Sequence, residues 1–118
     1  MRNLAPQVVR QRLLIEGLFD CPVDEARIAG YFETLTRALG LKMYASPMIY
    51  SLAGMGRTQN QGYDAFVPLI DSGISAYFWN EARLLSVLIY SCRAFDAEKA
   101  AAVAREYFNV AEIESSSF

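Results

Sequence analysis

Three runs of strand-forming residues, "YDAFVPLI", "ISAYFWN" and "RLLSVLIYSC", follow one another between Tyr63 and Cys92 with only two or three residues between neighbours. No other feature constrains the fold as much. A parallel pair needs a crossover on the order of a dozen residues, so strands joined this closely favour antiparallel pairing.

The flanking segments complete the pattern. "RQRLLIEGLF" reads as a first strand. The "DCPVDE" after it has a helix-start composition, with Pro22 in the first turn and Asp24 and Glu25 near the positive end of the helix dipole. Ile28, Phe32, Leu35 and Leu39 recur at helical spacing until Gly40 can end the helix. "LKMYASPMIYSL" reads as another strand, and "AGMGRTQNQG" as a loop without the spacing or the Lys-Ser/Thr of a phosphate loop. A second helix starts after Asp96 and carries Ala100, Val103, Ala104, Tyr107 and Phe108 on one stripe, and "NVAEIES" closes as an edge strand before a polar tail.

The order β-α-β-β-β-β-α-β predicts an α+β fold: an antiparallel sheet with two helices packed on one face, a two-layer sandwich in one domain spanning residues 1–118. The other sheet face is left to water or to a partner. Tyr77, Trp79, Leu84, Leu88 and Tyr90 fall on both parities of the hairpin, so some large apolar groups should point away from the helices. A homodimer or larger assembly would bury them.

Composition removes several function classes. Apolar residues make up 53% of the 118, enough for a real core. Eleven Lys and Arg against 13 Asp and Glu leave a formal charge of −2, and the basic residues are scattered, which argues against a nucleic-acid partner. Arg10, Arg12 and Glu16 interrupt any signal-like core near the start, and no run approaches the ~18 apolar residues of a membrane helix, so a cytoplasmic protein with no membrane partner is expected. Cys21 and Cys92 match neither a zinc nor a CxxC spacing. There is no histidine, which takes away the commonest metal ligand and the commonest general acid or base near neutral pH. No metal site is expected, and proton transfer falls to carboxylate, Tyr, Cys, Lys or water.

From Ser72 to Cys92 the sequence resembles the core of the small bacterial S-adenosylmethionine decarboxylases, whose motif runs approximately E-S-H-x-x-x-H-x-W-P-E and ends in a T-C pair. Ser72 falls on the serine that becomes a pyruvoyl group, Trp79 and Glu81 on the W-x-E, and Ser91-Cys92 on the T-C. The first strand ending in "FDC" and the helix after it match the family's start. Gly73 stands where the family has histidine, Tyr77 where it has a second histidine, and Asp64 where it has a serine.

The resemblance implies a sheet with helices on one face, a homodimer packed through the sheets, and a cofactor made from the chain itself. Cleavage at Asp71-Ser72 would turn Ser72 into a pyruvoyl whose keto group forms a Schiff base with the substrate amine and takes up electrons as carbon dioxide leaves. The Cys92 thiol would return a proton to the substrate carbon. Tyr77 and Asp64 would stand in for the residues that help self-processing, and Gly73 would let the turn adopt a strained backbone. Glu16 matches the region where the family holds a carboxylate near the substrate. Phe19 and Tyr50 could stack an adenine, and Trp79 and Glu81 complete the substrate-binding candidates.

Plainer readings of the same residues stand beside these. Asp-Ser-Gly is a turn sequence, Cys92 a small buried hydrophobe, Trp79 a core or interface residue, Glu16 an exposed strand carboxylate, and Phe19 and Tyr50 packing residues. Three functions therefore remain open: a pyruvoyl-dependent decarboxylase of S-adenosylmethionine or a related amino acid in polyamine biosynthesis, an unprocessed relative that binds S-adenosylmethionine or regulates a homologue, and a lyase that cleaves S-adenosylmethionine without pyruvoyl and has no cofactor.

Overall fold

Side-chain alternation along the strands decides how the sheet is covered. The computed structural model describes residues 1–51 and 53–118; Leu52, the last residue of the run read above as a strand, lies outside them. Among the described residues the elements are β1 (Gln11–Leu18), α1 (Glu25–Leu39), β2 (Met48–Ser51), a 3-10 turn (Thr58–Asn60), β3 (Gly62–Leu69), β4 (Ser72–Trp79), β5 (Leu84–Ser91), α2 (Ala97–Tyr107) and β6 (Ile113–Ser117). The strands form one sheet in the order β2-β3-β4-β5-β1-β6, with every pair antiparallel.

One parity of each central strand is apolar and covered. Leu13 and Ile15 of β1, Val67 and Leu69 of β3, Ile74, Ala76 and Phe78 of β4, and Leu85, Val87 and Ile89 of β5 are buried with Ile28, Tyr31, Phe32 and Leu35 of α1 and Ala100 and Ala104 of α2. Each large side chain buried here contributes about 1.5–3 kcal/mol. Ala100 and Ala104 keep the inner face of α2 small, while Phe108 fills the space past its end and meets Tyr31 and Phe78 at ring distances of 4.7 and 5.2 Å. Burial holds the Tyr31 phenol well above its usual range.

The helices are capped and clamped to each other. The Asp24 carboxylate accepts from the Arg27 amide at 2.8 Å, and the Asp96 carboxylate from the Lys99 amide at 3.0 Å. Gly40 ends α1 in the left-handed conformation (φ 69°). Arg27 donates to the Tyr107 carbonyl at 2.7 Å, and the Tyr107 hydroxyl donates to the Arg27 carbonyl at 2.8 Å. Gly30 makes room for that hydroxyl, since a Cβ there would come within 2.5 Å of it.

Several boundaries differ from the sequence reading. α1 starts at Glu25 with Asp24 as its cap, which leaves Pro22 outside the first turn. The run expected as a strand over 41–52 pairs continuously only from Met48, with Met43 making one isolated bridge to Leu69. Pro47 has no amide to donate and biases Ser46 toward an extended conformation, so the ladder begins just after it. The edge strand read to end at Ser115 runs on into the polar tail: Ser116 and Ser117 pair with Leu14 and Leu13.

The uncovered face also differs in detail. The register pairs Trp79 with Leu84 and Tyr77 with Ser86, so odd positions of β4 lie opposite even positions of β5. Tyr77, Trp79, Leu84, Leu88 and Tyr90 therefore all share the open face rather than dividing between two. Met48 and Phe66 join them, both partly exposed.

Candidate active site

The β3–β4 hairpin turns on two residues, Ile70 and Asp71, because Leu69 and Ser72 already pair across it. Ser72 is thus the first residue of β4 rather than part of the turn. The strained residue is Asp71, with φ 62°, a region that costs most side chains about 1–2 kcal/mol and that Asp tolerates better than most. Gly73 was expected to take that strain. It lies instead in extended strand, where a Cβ would come within 3.1 Å of the Phe66 ring.

β5 meets the hairpin end with its last residues. The Cys92 amide donates to the Asp71 carbonyl at 2.8 Å. Alternation along an antiparallel ladder makes the adjacent pair, Ser72 and Ser91, a close one without mutual backbone bonds. Their hydroxyl oxygens are 2.6 Å apart. Ser91 is fully buried and held by its neighbour: its Oγ accepts from the Arg93 amide at 2.9 Å and donates to the Arg93 carbonyl at 2.6 Å. The end of the sheet thus gathers a nucleophilic hydroxyl, a hydroxyl partner, a carbonyl in the preceding peptide with a fixed donor, and Cys92, which is exposed.

The remaining candidates lie elsewhere. Tyr50, Asp64, Tyr77, Ser86, Glu16 and Glu114 form one cross-strand row over all six strands of the open face. Tyr77 and Asp64 are therefore on the opposite face from Ser72, and Tyr77 is ~17 Å along the strand from it at ~3.3 Å per residue. The Trp79 ring stands 6.5 Å from that of Tyr77, which adds a second aromatic surface beside the row. Glu81 sits in the exposed β4–β5 turn. Phe19 is in the core against Phe78, with the Arg83 guanidinium 5.1 Å from its ring centroid. Ring packing, not an open platform, is what its surroundings provide.

Sequence reasoning placed Ser91 on the T-C pair but gave it no role. In an apolar strand a serine reads as filler, and its place in the T-C position was the only signal available.

Ser72 fits the origin of a pyruvoyl group on this geometry. Its hydroxyl adjoins the Asp71–Ser72 peptide, and the carbonyl of that peptide already has a donor. The sequence model for S-adenosylmethionine decarboxylase matches residues 14–118. The crystal structure of the adenosylmethionine decarboxylase from Aquifex aeolicus VF5 is similar in fold, with a TM-score of 0.72 and 20% identity over 94% of this chain and 89% of that one. None of the curated proteins matches. The chain belongs to the S-adenosylmethionine decarboxylase family and is an enzyme of that type.

Proposed function

We propose that the chain cleaves itself between Asp71 and Ser72 and, in two pieces, decarboxylates S-adenosylmethionine or a related amino acid on a route to polyamines. The observation that carries the reading is the 2.8 Å bond from the Cys92 amide to the Asp71 carbonyl. When the Ser72 hydroxyl attacks that carbonyl carbon, negative charge develops on the oxygen, and a donor already in place stabilises it without reorganisation. The Oγ–C bond forms, the C–N bond breaks and the hydroxyl proton ends on the freed amine. Loss of the Ser72 α-proton then expels Asp71 as a carboxylate. Water replaces the nitrogen, which leaves as ammonia, and the second piece begins with a pyruvoyl group. Cleavage also releases the left-handed strain at Asp71.

The keto group supplies an electron sink for the pair left when carbon dioxide departs. The chain's own residues do the rest. Cys92, tied to the cleaved bond by its backbone, is the proton donor to the substrate carbon. On the open face, the Tyr77 and Trp79 rings offer surfaces to a sulfonium or an adenine, and Glu16 and Asp64 offer carboxylates to an amine or ribose. Freed from Asp71, the new terminus can turn at Gly73 toward that face. Two chains packed through their open faces would cover the apolar residues there.

A second reading rests on Tyr77 and Asp64 standing on the opposite face from Ser72 in a chain without histidine. In it the chain stays whole and binds S-adenosylmethionine, regulates a homologue, or cleaves the ligand without pyruvoyl. Intact mass measurement separates the two. Pieces corresponding to residues 1–71 and 72–118, the second with a blocked terminus, support self-cleavage; one full-length mass after long incubation overturns it.

A further inference from the structure

We propose that Ser91 is the residue that positions Ser72 for self-cleavage, an inference that rests on the cleavage proposed above. A hydroxyl has one proton, and Ser91 commits its own to the Arg93 carbonyl. The assignment that satisfies every contact then has Ser72 donating to Ser91 across 2.6 Å. Ser91 is therefore the acceptor that turns the Ser72 proton away from the peptide and leaves an oxygen lone pair free for the Asp71 carbonyl carbon. Its rotamer is fixed from both sides by Arg93, whose amide donates at 2.9 Å, and it is fully buried. An acceptor so held is preorganised, and a fixed partner on the attacking atom is what an intramolecular attack requires.

The step balances without an outside oxidant or reductant. As Oγ bonds to the Asp71 carbon and the C–N bond breaks, water at the partly exposed hairpin end carries the Ser72 hydroxyl proton to the departing Ser72 nitrogen, so Ser91 orients that proton and keeps only its own. Ser91 and the Cys92 amide are consecutive in the chain, so one bend just past the end of β5 holds the nucleophile's partner and the donor to its target. Arg93 anchors that bend, and neither Tyr77 nor Asp64 takes part.

Three variants of the full chain test the assignment, with cleavage followed by intact mass against time. Ser91→Ala is expected to slow cleavage on the order of 100-fold, the cost of a reacting group misplaced by about 1 Å. Ser91→Thr keeps the hydroxyl and should retain most of the rate. Ser91→Cys keeps the size with a weaker acceptor, so it should fold with an unchanged melting temperature and cleave slowly, which also covers the case of an Ala variant that does not fold. A rate that follows the hydroxyl rather than the volume supports the positioning role. Equal rates for Ser91→Cys and wild type overturn it while leaving self-cleavage intact, and wild-type chain that never cleaves overturns both.

Discussion

Asp64 and Tyr77 stand directly opposite each other on β3 and β4, on the face of the sheet that the helices leave open, while Ser72 belongs to the covered parity of the same strand as Tyr77. The pair is thereby separated from the peptide that cleavage would break.

Asp64→Asn and Tyr77→Ala are therefore expected to leave self-cleavage at its wild-type rate and to weaken S-adenosylmethionine binding. A lost cation–π or charged contact of about 1–1.5 kcal/mol corresponds to about tenfold in affinity. Titration calorimetry on uncleaved Ser72→Ala protein measures the second effect, and intact mass the first. Slow cleavage in either variant would move the pair into the processing machinery.

Ser72→Ala should remain full-length and release no carbon dioxide, yet bind S-adenosylmethionine about as tightly as uncleaved wild type, because the open-face row is untouched. Carbon dioxide release by this variant would show that the serine serves the hairpin and nothing else.

The open face predicts an assembly. Leu88 and Phe66 lie at the centre of an apolar patch with Met48 and Tyr90 around them, each at least a third exposed in the isolated chain. Light scattering should report at least twice the 13.2 kDa chain mass, and Leu88→Glu should lower it to one chain. A wild-type monomer at micromolar concentration contradicts the assignment of this face.

Packing and capping should separate in chemical denaturation. Phe108→Ala removes a fully buried ring touching Tyr31 and Phe78 and is expected to cost about 3–5 kcal/mol. Asp24→Ala removes only the bond to the Arg27 amide and should cost about 1 kcal/mol. Similar losses for the two would mean that α1 is held by its cap rather than by the core.

Much of the fold was legible because it depends on local rules. Ile28, Phe32 and Leu35 announce a helix by spacing alone, Gly40 ends it where a left-handed residue is needed, and three close-set apolar runs can hardly pair other than antiparallel. The errors fall where a local signal has two meanings. Asp-Ser-Gly is a turn composition, but cross-strand pairing of Leu69 with Ser72 draws the serine into the strand and leaves the turn to Ile70 and Asp71. Ser116 and Ser117 look like a tail until β1 offers them a free edge.

The sequence by itself determined the order of the elements, the antiparallel pairing of the close-set strands and the family resemblance carried from Ser72 to Cys92, since each depends on residues close together in the chain. Only the tertiary structure decided register. Pairing Ser72 with Ser91 joins positions 19 apart, and it alone sets hydroxyl against hydroxyl and the Cys92 amide against the Asp71 carbonyl. Alternation within β4 puts Tyr77, five residues on, on the other face, and the β3–β4 register sets Asp64 beside it. Side chains on a strand alternate with a period of two, so a slip of one residue between β4 and β5 would have set the open parity of one against the covered parity of the other, and it is burial of both apolar parities under the helices that fixes the choice.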